Sequence, residues 1–213
     1  MRYASIVIDV DSTLSQIEGI EWLAGRRDAT TRERIAETTD AAMRGDIPLE
    51  SVYGERLQLV RPTRDEVTAL GVAYVDAISP GAVAAIAELR AAGVRIVIVS
   101  GGLREAILPL GAAVGVDAAD VHAVSVYFDA AGDYAGYDTD SPVTRRGGKP
   151  AIVGALTLPA PVFALGDGIT DAELKAVVQQ FGAYVGVVRH EPVVAAADVV
   201  VSSFNQLPAL VLA

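Results

Sequence analysis

The sequence predicts an α/β protein built on a parallel sheet, and three observations carry that prediction. Residues 5–8, 94–99 and 162–165 are short apolar runs rich in Val and Ile, the composition of strands covered on both faces. Each run leads into small or acidic polar residues: D-V-D-S-T after the first, S-G-G after the second, G-D-G-I-T-D after the third. The core must also be aliphatic, because 52% of the chain is apolar while it holds only four Phe and one Trp. At 213 residues there is material for one core, or for one core with a smaller inserted unit.

Taken in order, the first strand ends at Asp9 and Asp11. Alternation sets these two on one face and Val10 on the other, with Ser12 and Thr13 as a polar exit. Aspartate is poor in strands and costly to bury, so the pair calls for a cation, a partner or water. Residues 15–77 then read as helical. Ile17, Ile20, Trp22, Leu23 and Ala24 give residues 15–26 an amphipathic spacing. Thr30-x-x-Glu33 and Thr63-x-x-Glu66 are capping boxes, the first opening a helix that stops at Met43-Arg44-Gly45. Pro48 opens a further helix through Val52, Leu57, Leu59 and Val60 as far as Pro62. The expected division is a core of residues 1–14 and 78–213 with a helical cap of residues 15–77, a natural lid beside the strand end.

The alternation resumes with Ser79-Pro80 as cap and first helical position, Gly93 as the stop, and strand 94–99. Ser100-Gly101-Gly102 precedes another helix, which Pro109 kinks or interrupts. Residues 121–128 and 134–137, around Ala130-Ala131-Gly132, suggest a β-hairpin outside the parallel order. Gly147-Gly148-Lys149-Pro150 starts a short helix, and residues 183–188 and 199–201 extend the sheet.

Composition narrows the function. A net charge of -10 with no run of Lys or Arg argues against nucleic acid or an anionic membrane as partner. Without cysteine there is no disulfide, thiolate metal site or Cys nucleophile. Met1-Arg2 leads straight into a strand with no signal segment, and the uncharged stretches 150–165 and 199–213 are short or broken by Pro159, Pro161 and Pro208; a cytoplasmic protein is expected. His122 and His190 read as structural or surface residues. The apolar tail 207–213 packs either on the sheet or on a second copy, which leaves a homodimer as a possibility.

If the three strands are adjacent, they gather Asp9, Asp11, Ser100, Asp167 and Asp171 at one sheet edge, the usual ligand crevice of an α/β fold. Oxygen-only donors point to Mg²⁺, whose shell is normally completed by water and a phosphate oxygen. Ser100 and the Gly101-Gly102 backbone offer anion donors at a helix start, and Lys149 adds a cation, a set that fits phosphate.

D-V-D-S-T, V-S-G-G, G-G-K and G-D-G-I-T-D, in this order, resemble the four motifs of the haloacid dehalogenase superfamily of phosphohydrolases, whose core is Rossmann-like. D-V-D-S-T-L-S-Q-I-E-G-I-E-W-L-A, A-M-R-G, E-R-L-Q-L-V and D-Y-A-G-Y are similar, more narrowly, to the phosphoserine phosphatase family, across essentially the whole chain. The resemblance implies a Mg²⁺-dependent hydrolase of L-phosphoserine. Asp9 would be the nucleophile, forming an aspartyl-phosphate, and Asp11 the acid and base. Ser100, Gly101 and Lys149 would hold the phosphoryl group. Asp9, the Asp11 carbonyl and Asp167 would hold the metal, with Asp171 and Thr170 in its outer surroundings. In the cap, Glu18 would bind the substrate ammonium and Arg56 its carboxylate, with Met43 and Gly45 lining the pocket. The chain departs from the family in V-G-V-V-R-H-E at residues 185–191, where a Gly-Gly-Asn-like turn is usual, and in Leu49, where an aromatic is usual. The alternatives are a phosphatase for another small phosphomonoester and a non-catalytic phosphate-binding regulatory module.

Overall fold

The computed structural model describes residues 2–44 and 49–213, with the side chains of residues 39–51 outside the description. In chain order the elements are β1 (Ser5–Ile8), α1 (Gly19–Ala24), α2 (Ala29–Arg44), α3 (Leu49–Val60), α4 (Arg64–Asp76), α5 (Ala82–Ala91), β2 (Arg95–Leu103), α6 (Arg104–Ala113) and β3 (Val121–Val124). There follow β4 (Val126–Phe128), β5 (Tyr134–Tyr137), α7 (Gly148–Ala155), β6 (Val162–Gly166), α8 (Ile169–Ala172), β7 (Gln180–Tyr184), α9 (Glu191–Ala196), β8 (Val199–Val201) and α10 (Leu207–Leu212).

Six strands form one parallel sheet in the order β3-β2-β1-β6-β7-β8, and β4-β5 is a separate antiparallel pair. All four residues of β1 are buried, as strands between two helical layers must be. The chain builds outward from β1 to β2 and β3, then returns to β6 on its other side. The strand order therefore reverses between β1 and β6, where the loops leaving the strands diverge and open a crevice.

Several local expectations need correction. The first helix begins at Gly19 rather than Ser15, because Ser15 is taken by a bridge to Ile78. Thr30 lies inside α2; its cap is Asp28, which accepts from the Thr31 amide at 2.8 Å. Pro48 lies outside the described residues. Gly81, at φ +83°, caps α5, while the Ser79 hydroxyl donates to the Thr13 carbonyl at 2.6 Å. Residues 121–124 join the main sheet, so the hairpin is only Val126–Phe128 with Tyr134–Tyr137. β7 ends at Tyr184, earlier than the apolar run suggests, and α6 runs through Pro109 without a break. The Thr63/Glu66 capping box is present as expected, with Glu66 N to Thr63 Oγ1 at 3.2 Å and Thr63 N to Glu66 Oε2 at 2.9 Å.

Helices α1 to α4 lie between β1 and β2 in sequence. Their entry and exit run side by side, through the Ser15–Ile78 bridge, Gln16 N to Ala77 O at 2.8 Å and Ser79 N to Leu14 O at 2.9 Å. The Arg27 guanidinium grips both Glu66 carboxylate oxygens and the Val60 carbonyl, tying the α1–α2 junction to the α3–α4 junction. Helix α4 packs lengthwise on α6, so the insertion rests directly on the sheet's helical layer. In the apolar tail, Leu207 and Val211 are buried, and α10 packs on helix α5.

Candidate active site

After Ile8 the chain cannot continue as a strand. Residues 10–14 form a wide turn with Asp11 extended and Ser12 at φ +48°, a left-handed conformation that a non-glycine residue adopts only under constraint. That constraint is visible: the Ser12 hydroxyl donates to Glu18 Oε1 at 2.5 Å, and Thr13 Oγ1 donates to Asp167 Oδ1 at 2.9 Å. The turn thereby joins the end of β1 to the end of β6 and to the start of α1.

Lys149 enters from the opposite side. Gly148 permits this, because a Cβ there would lie 1.8 Å from the Pro142 carbonyl oxygen. The Lys149 ammonium, 5% exposed, sits 2.7 Å from Asp9 Oδ1 and 2.6 Å from Asp171 Oδ1. Asp171 is further held by the Gly168 amide at 3.0 Å. Burial opposes the lysine's charge, but Asp171 and Asp9 hold its pKa above the usual ammonium value. Burial, reinforced by Asp9, raises Asp171, with Lys149 opposing.

The carboxylates of Asp9, Asp167 and Asp171 offer ligand oxygens within 4.8 Å of one another. Three acids against one ammonium leave an excess of negative charge, and every donor is oxygen. The set fits a hard divalent cation and can bind a metal ion. Without a cation, burial followed by the Asp9 charge pushes Asp167 up to about 7, despite the Thr13 hydroxyl. His190, at the start of α9, brings Nε2 to 3.7 Å from Asp167 Oδ2.

Asp11 points elsewhere. Its Oδ1 accepts from the Gly19 amide and from the Tyr74 hydroxyl, each at 2.7 Å. Burial first, then Glu18 and Asp9, push its carboxyl up to about 7. Burial likewise raises Glu18 to about 7, with Ser12 opposing and Asp167 and Asp9 adding to the rise.

Ser100 is buried and its Oγ accepts from the Gly102 amide at 2.9 Å, but S-G-G is not a helix start. β2 runs on through a register shift to Leu103, and α6 begins only at Arg104. Gly101 offers its carbonyl to the Tyr53 hydroxyl of α3 at 2.8 Å. Arg56, one turn further along α3, lies within electrostatic reach of Glu18 and Asp11. Thr170 is half-buried in the first turn of α8, beside Asp171. Gly45 and the Met43 side chain lie outside the described residues.

The structure thus brings Asp9, Asp11, Lys149, Asp167, Asp171 and Glu18 together at the sheet edge, with Ser100 and Gly101 on the neighbouring strand. Thr13, Tyr74, Tyr53 and His190 are additions. Thr13 was legible in part as the polar exit of the first strand; the other three owe their places to long-range packing that no local pattern announces.

A family model for haloacid dehalogenase-like hydrolases matches residues 6–175, and the chain belongs to that family. Within it, the chain is similar to phosphoserine phosphatases. The chloroplastic phosphoserine phosphatase of Arabidopsis thaliana is 32% identical over 208 residues, 95% of this chain and 70% of that protein. The phosphoserine phosphatase of Rattus norvegicus is 31% identical over 172 residues, 79% of this chain and 76% of its own length. A crystal structure of a phosphoserine phosphohydrolase-like protein from Francisella tularensis superposes with a TM-score of 0.84 at 24% identity, covering 99% of this chain and 100% of that one, a likeness of fold.

Proposed function

We propose that the chain hydrolyses O-phospho-L-serine to L-serine and phosphate through an aspartyl-phosphate. A carboxylate oxygen of Asp9 attacks phosphorus and the bond from phosphorus to the serine oxygen breaks; the Asp11 proton goes to that oxygen. Asp11, now ionised, takes a proton from water as the water oxygen attacks phosphorus, which frees Asp9 and releases phosphate. An acid that must be protonated in one step and ionised in the next works best with a pKa near the working pH, and burial, then Glu18 and Asp9, raise Asp11 in that direction in the metal-free site.

Ser100, the Gly101 backbone and Lys149 hold the transferring group, where charge develops. A Mg²⁺ held by Asp9, the Asp11 carbonyl and Asp167, with Asp171 and Thr170 beside it, would neutralise charge between nucleophile and phosphoryl group. Glu18 takes the substrate ammonium and Arg56 its carboxylate, with Met43 and Gly45 in the pocket wall. Residues 15–77 serve as the cap over residues 1–14 and 78–213. Among the described residues no helix is long and apolar enough to cross a membrane.

The observation that carries this reading is the buried Lys149 joining Asp9 to Asp171 at the end of β1, with the high-pKa Asp11 alongside. Phosphate release with Mg²⁺ from L-phosphoserine, phosphoethanolamine and glycerol phosphate tests it. A substrate carboxylate read by arginine is worth about ten- to a hundredfold in kcat/KM over phosphoethanolamine. Asp9→Asn should release nothing. A flat profile retains the hydrolase and discards the amino-acid substrate, and an active Asp9→Asn variant removes the nucleophile assignment.

A further inference from the structure

Asp11 Oδ1 is occupied twice, by the Gly19 amide and by the Tyr74 hydroxyl. The amide can only donate, and the wholly buried Tyr74 hydroxyl donates too. Two donors fill the lone pairs of Oδ1. The other oxygen faces β2: a Cβ built on Gly102 would lie 3.2 Å from Asp11 Oδ2 and 3.3 Å from Ser100 Oγ. The grip requires glycine at 19, since a Cβ there would lie 2.0 Å from the Tyr74 hydroxyl oxygen. The two grips come from opposite ends of the insertion, Gly19 opening α1 and Tyr74 near the end of α4, next to the Ser15–Ile78 bridge.

We propose that Tyr74 is a positioning residue for leaving-group protonation: with the Gly19 amide it fixes the Asp11 carboxyl so that Oδ2, and not Oδ1, faces the phosphoryl site and exchanges the proton. The inference rests on the reading of Asp11 as the acid and base. An unrestrained carboxyl rotates about its Cβ–Cγ bond and presents either oxygen, or neither, to the leaving group.

Tyr74→Phe removes one hydroxyl and keeps the ring in the core. General acid catalysis contributes about 10²- to 10⁴-fold, and loss of orientation alone should forfeit about ten- to a hundredfold in kcat for L-phosphoserine, with KM within about twofold. Acetyl phosphate, whose acetate leaves without help from a proton, should lose at least about fivefold less. Binding of Mg²⁺ and beryllofluoride, which on this reading engages the Asp9 carboxylate and the Asp11 carbonyl but not the Asp11 carboxyl, should match the wild type by calorimetry. Gly19→Ala, which displaces the hydroxyl from the other side, should reproduce the kcat loss and add little in the Tyr74→Phe background. A Tyr74→Phe kcat for L-phosphoserine within twofold of wild type overturns the proposal. So does a loss shared equally by both substrates and accompanied by weakened beryllofluoride binding, which marks a structural role. If the wild type itself releases no phosphate from L-phosphoserine, it is the proposed activity that fails.

Discussion

A lysine in the first turn of a helix adds positive charge where the helix dipole is already positive, and here it is also buried. Lys149 is stable there only because Asp9 and Asp171 face it, and they in turn depend on it. Lys149→Met should therefore destabilise the metal-free protein by about 3–5 kcal/mol, since it leaves buried carboxylates without their cation. Denaturant unfolding in EDTA measures this, and Mg²⁺ should recover part of the loss; a variant as stable as wild type would contradict the ion-pair geometry. Residues of this kind announce themselves in a sequence because they break local rules. Asp9, Asp167 and Lys149 are acids at strand ends or a cation at a helix start, so their places were legible. His190 and Tyr74 break no rule. A histidine before a proline-containing helix start and a tyrosine in a helix are unremarkable, and only the packing of α9 on α8 and of α4 on α6 brings them to Asp167 and Asp11.

Among the elements, β1 and β6 were legible because both their faces are covered, which leaves an uninterrupted apolar run. The end of β2 was not, since Ser100, Gly101 and Gly102 are poor strand formers that occupy the irregular stretch between the Val99 and Leu103 pairings with β3. Residues 121–124 read as a hairpin arm in the sequence and join the main sheet instead, because a short apolar run does not name its partner. The cap of α2 was not legible either: Thr30-x-x-Glu33 has the spacing of a capping box, but the helix already starts at Ala29 and Asp28 takes the Thr31 amide instead. The capping box at Thr63 had no competitor, and its Glu66 does double duty. Arg27, ahead of a smaller lowering by the Thr63 amide, holds the Glu66 carboxyl below its usual range, with burial opposing. Arg27→Ala should cost about 1–2 kcal/mol, a partly buried bidentate pair plus one backbone bond, read as a lower urea midpoint with unchanged slope. No change in midpoint would show that the junctions hold without it.

At the scale of the molecule, the sheet edge is an electrostatic debt held by the fold. Asp11, Glu18 and Asp167 each stand at about 7, raised first of all by burial from ordinary values of 3.8, 4.5 and 3.8. Below about pH 4 both folded and unfolded chains hold these protons, and the groups cost nothing. As pH rises from about 4 to 7 the unfolded chain releases them first, so their contribution to stability declines and is lost above the folded values. Metal-free protein should therefore lose stability from these groups between about pH 4 and 7. The rise in melting temperature on adding Mg²⁺ should be larger at pH 8 than at pH 5.5, because the cation binds the ionised acids. An equal or reversed increment in thermal melts would place the metal elsewhere. The doubled crossing at Ser15 and Ile78 has a further consequence, for how such molecules can diversify. Because the insertion leaves and re-enters the core at one point, a different set of helices could be grafted there without disturbing the sheet. Gly19 and Tyr74 travel with that graft, however. If Asp11 delivers the proton as proposed, a borrowed insertion that brought a new pocket would also have to bring its own hold on Asp11, and substrate range and proton delivery would be inherited together.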